Sequence, residues 1–162
     1  RLVMFSSLSK RSNVPGMRSG FVAGDAKILK QFLLYRTYHG CAMAPPVQAA
    51  SVAAWNDEAH VLDNRNQYRA KFGACTPLVA EVLGTGMPDA SFYLWARTPI
   101  ADTEFARGLL EHYNVVVLPG SFLAREAQGV NPGAGFVRIA LVAGLEECLE
   151  ATRRIRQFAQ QL

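Results

Sequence analysis

The order of apolar and polar positions divides the chain into short strands and longer helices. Leu2 to Phe5 is an unbroken apolar run of strand length and predicts a buried strand. Ser6 to Ser19 is polar, contains Pro15 and Gly16, and reads as a loop. Gly20 to Gly24 predicts a second short strand. Asp25 is a good N-cap for a helix over Ala26 to Tyr38, with Ile28, Leu29, Phe32 and Leu33 on its apolar face. His39 to Pro46 is irregular. Pro46 suits the first turn of a long helical region, broken once near Asn56 and Asp57, that ends near Gly84-Thr85-Gly86. Leu62, Tyr68, Phe72, Val79 and Val82 form the apolar positions of its second part.

The pattern then changes. Ser91 to Arg97 predicts a strand, and Asp102 to His112 a helix capped by Asp102 or Thr103. Asn114 to Leu118 is a β-branched strand stopped by Pro119-Gly120, and Gly135 to Val142 is another strand. Leu145 to Leu162 is an amphipathic helix with Leu145, Cys148, Leu149, Ile155, Phe158, Ala159 and Leu162 on one side. Strands and helices mixed in this way predict a two-layer α/β or α+β unit. The organisation expected is a short first part, residues 1–45, and a second domain, residues 46–162, entered through the long helix. No repeat or low-complexity segment is present. The chain starts directly on an apolar strand, without an initiator methionine or a targeting peptide, so upstream sequence of a larger protein is expected.

Composition narrows the function. Half of the 162 residues are hydrophobic and 19% are charged, as in a folded globular protein. No apolar run reaches the length of a membrane span. The net charge of +4 is spread among acids, and only Arg153, Arg154 and Arg156 cluster. Nucleic-acid binding needs a concentrated basic patch and is not expected, whereas a site for phosphate and carboxylates would also tilt the balance positive. Cys41, Cys75 and Cys148 lie far apart, and His39, His60 and His112 show no ligand spacing. No metal site is expected, and the sparse cysteines suggest reduced thiols in a cytoplasm.

The segment with chemistry is Ser7-Leu8-Ser9-Lys10, just after the first strand, followed by Pro15-Gly16-Met17-Arg18-Ser19-Gly20. Taken alone, a lysine in a polar loop reads first as a solvated surface charge. A lysine at a strand end can also be partly desolvated, which favours the neutral amine, a nucleophile toward an aldehyde. The hydroxyls of Ser7 and Ser9 and the guanidinium of Arg18 suit a phosphate. A second candidate is Arg138, inside the apolar strand that follows Asn131-Pro132-Gly133-Ala134-Gly135. Its plain reading is an edge-strand arginine with its head in solvent. The glycine-rich run before it does not match a dinucleotide fingerprint, because a strand rather than a helix follows.

Ser7-x-Ser9-Lys10, seven intervening residues and Arg18-Ser19-Gly20 resemble the cofactor-attachment signature of class I and II aminotransferases (Ser-x-Ser-Lys, a spacer, Gly-x-Arg-x-Gly). The resemblance extends along the chain. Phe21-Val22-Ala23-Gly24-Asp25 is similar to the strand after that signature, and Ala42-Met43-Ala44-Pro45-Pro46-Val47-Gln48 to the crossing between domains. Val117-Leu118-Pro119-Gly120-Ser121-Phe122 is similar to the loop before the carboxylate-binding strand, and Arg138-Ile139-Ala140 to that strand itself. With Tyr38-His39-Gly40 and Phe92-Tyr93-Leu94-Trp95, the likeness is greatest to bacterial N-succinyldiaminopimelate aminotransferases.

The resemblance implies an α/β fold, namely the C-terminal part of the fold type I transferases that depend on pyridoxal 5'-phosphate. Residues 1–45 would be the end of the large domain. It implies that Lys10 forms the Schiff base with the cofactor and acts as general base and acid, and that Ser7 and Arg18 hold the phosphate with Ser9 beside them. Arg138 would grip the substrate carboxylate. The reaction implied is amino transfer between an amino acid and a 2-oxo acid, such as succinyldiaminopimelate with 2-oxoglutarate, in a cytoplasmic homodimer. Cys41 to Pro46 would either approach the partner's phosphate or form a plain interdomain loop. In the family, the acid at the pyridine nitrogen and the ring-stacking aromatic precede the lysine, so this chain alone is expected to bind the cofactor poorly. The same signature occurs in lyases of this fold and in aminotransferase-like sensor domains of transcription regulators, which remain open alternatives.

Overall fold

Five consecutive residues on each side build the first element pair. β1 (Val3–Ser7) and β2 (Gly20–Gly24) are antiparallel, in register from Val3 opposite Gly24 to Ser7 opposite Gly20. The computed structural model describes residues 1–40 and 42–162. It divides into two units, Arg1–Arg65 and Asn66–Leu162, the division falling within one helix.

In the first unit, α1 (Leu8–Arg11) follows β1 directly, and a 3₁₀ turn (Pro15–Met17) precedes β2. α2 (Ala26–His39) is capped as expected, Asp25 Oδ1 accepting from the amides of Lys27 at 2.9 Å and Ile28 at 3.1 Å. α3 (Pro45–Asn56) begins on a proline, and Asp57 ends it where the break was expected. α4 (Ala59–Ala80) then starts.

Two expectations for this unit are corrected. The segment Ser6 to Ser19 is not simply a loop, because the strand runs on to Ser7 and residues 8–11 close a helical turn. The strand expected to be buried is not. Leu2, Met4 and Phe5 are 76%, 51% and 68% exposed, and no residue of α2 is buried, Leu33 on its expected apolar face included. The physical reason is scale: a two-stranded ribbon with a few helices is too small to cover both of its faces.

The second unit has a conventional two-layer core. β3 (Tyr93–Arg97), β4 (Leu118–Pro119) and β5 (Phe136–Ala140) form an antiparallel sheet in the order β3-β5-β4. Alternation puts Leu94, Ala96, Val137 and Ile139 on one face. There they join Phe72, Cys75 and Val79 of α4, Phe105 and Leu109 of α5 (Asp102–Tyr113), and Cys148, Ile155 and Phe158 of α6 (Leu145–Ala159). The amphipathic reading of α6 therefore holds, with its helix ending at Ala159 rather than Leu162. Its basic cluster is paired with acids: Arg153 and Arg154 share Glu150, and Arg156 Nε lies 2.9 Å from Glu81. Among the described residues, no helix is long and apolar enough to cross a membrane.

The strand expected over Asn114 to Leu118 shrinks to Leu118–Pro119. Asn114 instead ends α5 in a left-handed conformation (φ 52°), its amide returning to the carbonyls of Leu109 and Leu110. This spends the first residue of the run on the helix end.

Asp102 is buried but does not cap α5. Its carboxylate accepts from the amides of Ser121 (2.8 Å) and Gly135 (3.2 Å), so it ties both ends of the loop between β4 and β5. That loop crosses itself where a Cβ on Gly133 would stand 2.1 Å from the Gly120 carbonyl oxygen, which admits no side chain. Burial opposes the charge on Asp102, but hydrogen bonds from Ser121, through its side chain and its amide, and from the Gly135 amide outweigh it and hold the carboxyl below its ordinary 3.8. A depressed acid contributes stability that is present above the unfolded pKa and lost as pH falls through the folded one. Asp102→Asn is expected to lower the unfolding free energy by about 2 kcal/mol at pH 7, with the gap from the wild type narrowing below pH ~3.8. Urea unfolding at both pH values checks this, and a gap that does not change with pH would contradict it.

Candidate functional site

Lys10 is presented by a turn whose own backbone is closed. Leu8 is fully buried and its amide bonds to the Ser19 carbonyl at 3.1 Å, while the amide of Ser12 returns to the Leu8 carbonyl at 3.1 Å. Ser7 is the N-cap residue of this turn, yet its side chain makes no cap hydrogen bond. Ser7 stands opposite Gly20, where a Cβ would come within 2.7 Å of the Ser6 carbonyl oxygen. Glycine is therefore required for the two strands to approach so closely at the lysine end.

The return from α1 is tight as well. The amide of Met17 reaches Val14 and that of Arg18 reaches Pro15, leaving Arg18 left-handed at φ 51°. Its Nη1 donates to the Pro15 carbonyl at 2.9 Å, which fixes the guanidinium against its own loop. Behind the loop the buried Ser19 hydroxyl lies 2.8 Å from that of Ser51, which is 2.6 Å from the Val47 carbonyl. One polar relay thus joins the signature to α3.

These elements enclose a cavity of about 1160 Å³ within the first unit. Ser7, Ser9, Lys10 and Arg18, all singled out from the sequence, line it together. Arg11 and Arg36 line it too, and were missed. Arg36 had a legible signal, since it follows Phe32 by one helical turn and both face the cavity. Four cationic side chains and no carboxylate stand on the wall. Hydroxyls and cations without a competing acid make a site for an anion with several oxygens, such as a phosphate monoester. The residues present therefore fit a cofactor that carries both a phosphate and an amine-reactive carbonyl. Ala42, Met43 and Ala44, from the crossing segment, also line the cavity, while Cys41 lies outside the described residues.

Arg138 belongs to the second unit, and there the edge-strand reading is overturned. β5 is the central strand, with Arg138 opposite Trp95 on one side and Leu118 on the other. The guanidinium lies 5.4 Å over the Tyr93 ring. Its Nε is buried with no hydrogen-bond partner among the described residues. A buried, unsatisfied donor on a cation is costly, and an incoming carboxylate would relieve it. Lys71, by contrast, is a buried lysine with a structural use: its ammonium donates to the Leu141 carbonyl at 3.2 Å and sits 4.8 Å over the Tyr68 ring. Among the described residues, no group of three or more His, Cys, Asp or Glu could hold a metal ion.

Comparison with known proteins agrees with this geometry. The chain is 57% identical to an aminotransferase of Neisseria meningitidis whose crystal structure superposes with a TM-score of 0.90, over 96% of this chain and 40% of that one. A Thermus thermophilus structure described as "probable N-succinyldiaminopimelate aminotransferase" is 34% identical with a TM-score of 0.83, over 98% of this chain and 42% of that one. The LL-diaminopimelate aminotransferase of Syntrophobacter fumaroxidans is 30% identical over 97% of this chain and 40% of its own length. The chain thus spans about two-fifths of the length of these relatives. The fold is the α/β fold of the fold type I aminotransferases. With residues 1–155 matching the family described as aminotransferase class I and II, whose members depend on pyridoxal 5'-phosphate, the chain belongs to that family.

Proposed function

We propose that the whole protein transfers an amino group between an amino acid and a 2-oxo acid, with N-succinyl-LL-2,6-diaminopimelate and 2-oxoglutarate as the pair. The observation that carries the reading is the cavity wall, where Lys10 stands among serine hydroxyls and arginines with no carboxylate. The substrate choice leans on the likeness to the Thermus protein and on an LL-diaminopimelate aminotransferase among the relatives.

In this reading residues 1–45 complete a larger cofactor-binding domain, and residues 46–162 form the interdomain helix and small domain. Ser7, Ser9 and Arg18 hold the cofactor phosphate. Pyridoxal phosphate supplies, when bound, a carbonyl for the lysine amine and a ring that accepts electron density from the substrate α-carbon. Lys10 Nζ would hold the cofactor through its carbonyl and, once released by substrate, would serve as the base that takes the proton from the substrate α-carbon. Arg138 holds the substrate carboxylate as a planar fork, which lysine could not match. Its partnerless Nε supports that role, because binding converts a penalty into a charged hydrogen bond. The working enzyme is a cytoplasmic homodimer.

Three outcomes follow for the full-length protein. A coupled assay should detect glutamate only when both the succinylated diamine and 2-oxoglutarate are supplied; keto acid released without 2-oxoglutarate would indicate a lyase instead. Lys10→Ala should lower kcat by about a thousandfold or more, since proton transfer loses its base. Arg138→Lys should raise KM for both substrates by about tenfold or more with a smaller change in kcat, since one arm of the fork is lost. The 162-residue chain assayed alone is expected to show no turnover.

A further inference from the structure

The three residues after Lys10 each grip a different point on the end of α3, the start of α4 or the junction between them. Asn13 Nδ2 donates to Asn64 Oδ1 at 2.9 Å, and the Ser12 hydroxyl lies 2.8 Å from His60 Nε2. Arg11 makes the largest set. Its Nη1 donates to the Ala54 carbonyl at 2.8 Å, its Nη2 to the Trp55 carbonyl at 3.5 Å and to the Glu58 carboxylate, and its guanidinium lies 4.8 Å over the Trp55 ring. The side chain is only 16% exposed. A planar fork, two helix-end carbonyls, a carboxylate and an aromatic face together leave this guanidinium little freedom. The carbonyls it takes are among those a helix leaves unpaired at its C-terminus, where a cation is also favoured.

α1 is a single turn of four residues and cannot be stable by itself. Leu8 fixes its start through burial, while Arg11 fixes its end, immediately beside Lys10. We infer that Arg11 is a positioning residue for the reactive lysine, locking the end of the lysine-bearing turn onto the α3–α4 junction. Its effect passes through the direction in which the Lys10 amine is presented, since Arg11 is the next residue on the same turn. The inference rests on the assignment of Lys10 under the proposed function.

The test compares two probes that share a phosphate and ring but differ at one group. Pyridoxal 5'-phosphate can bond to the lysine amine, whereas pyridoxamine 5'-phosphate has no aldehyde and cannot. Affinities for both are measured in the full-length protein, for the wild type, Arg11→Met and Glu58→Gln, alongside thermal unfolding. Arg11→Met should weaken pyridoxal phosphate about tenfold more than pyridoxamine phosphate, any loss common to both reporting the cation removed from the cavity wall. Glu58→Gln, which leaves both carbonyl bonds in place, should shift the same ratio in the same direction by less. Equal weakening of both probes would overturn the inference, because it would show a general loss of structure. An unchanged ratio in both variants would overturn it as well. A wild type that binds the two probes equally would overturn the Lys10 assignment itself, and the inference with it, which separates that failure from the other two.

Discussion

The four-residue turn that carries Lys10 depends for its position on one buried residue. Leu8 is completely buried and carries both ends of the local hydrogen bonding, donating to Ser19 and accepting from Ser12. Remove that anchor and the turn has too few bonds of its own to form. Everything polar around it then has a place: Ser7 and Gly20 at the strand end, Ser9 and Lys10 on the turn, Arg18 on the tight return. The cavity is a consequence of that arrangement rather than a separate invention.

The second unit is built on a different principle. Its sheet and three helices bury a continuous apolar core, and its functional candidate sits on the sheet face turned away from that core. Arg138 is set by register, opposite Trp95 and Leu118, with its neighbours Val137 and Ile139 pointing inward. Asp102 holds the adjoining loop by its two ends. A strong core thus supports a cation at fixed height.

Much of this was legible in the sequence because it depends on local rules. Asp25 before a helical pattern, Pro45-Pro46 at a helix start, the break at Asp57 and the alternation in β3 and β5 all follow from residue types a few positions apart. So does the cluster Ser7, Ser9, Lys10 and Arg18, whose spacing is a family signature. What failed depended on partners distant in sequence. The β-branched run Val115 to Val117 reads as strand, yet only Leu118 and Pro119 pair with β5, because Asn114 closes the preceding helix. Asp102 looks like a helix cap but is held by amides nineteen and thirty-three residues away. Arg11 looks like any surface arginine beside a lysine, and its partners at 54, 55 and 58 leave no trace in local spacing.

The central claim is that the wall of the first unit's cavity selects Lys10 for a phosphate-bearing aldehyde. Lys10 shares this sequence with three other lysines, Lys27, Lys30 and Lys71, so selection among them can be measured directly. The full-length protein is incubated with pyridoxal 5'-phosphate, reduced with borohydride, and the label located by peptide mass spectrometry, with Lys10→Ala as the control. The account predicts one label per chain, on Lys10, and none at any other single lysine in the control. Label distributed over Lys27, Lys30 and Lys71 as well as Lys10, or a site-specific label that survives Lys10→Ala, would contradict it.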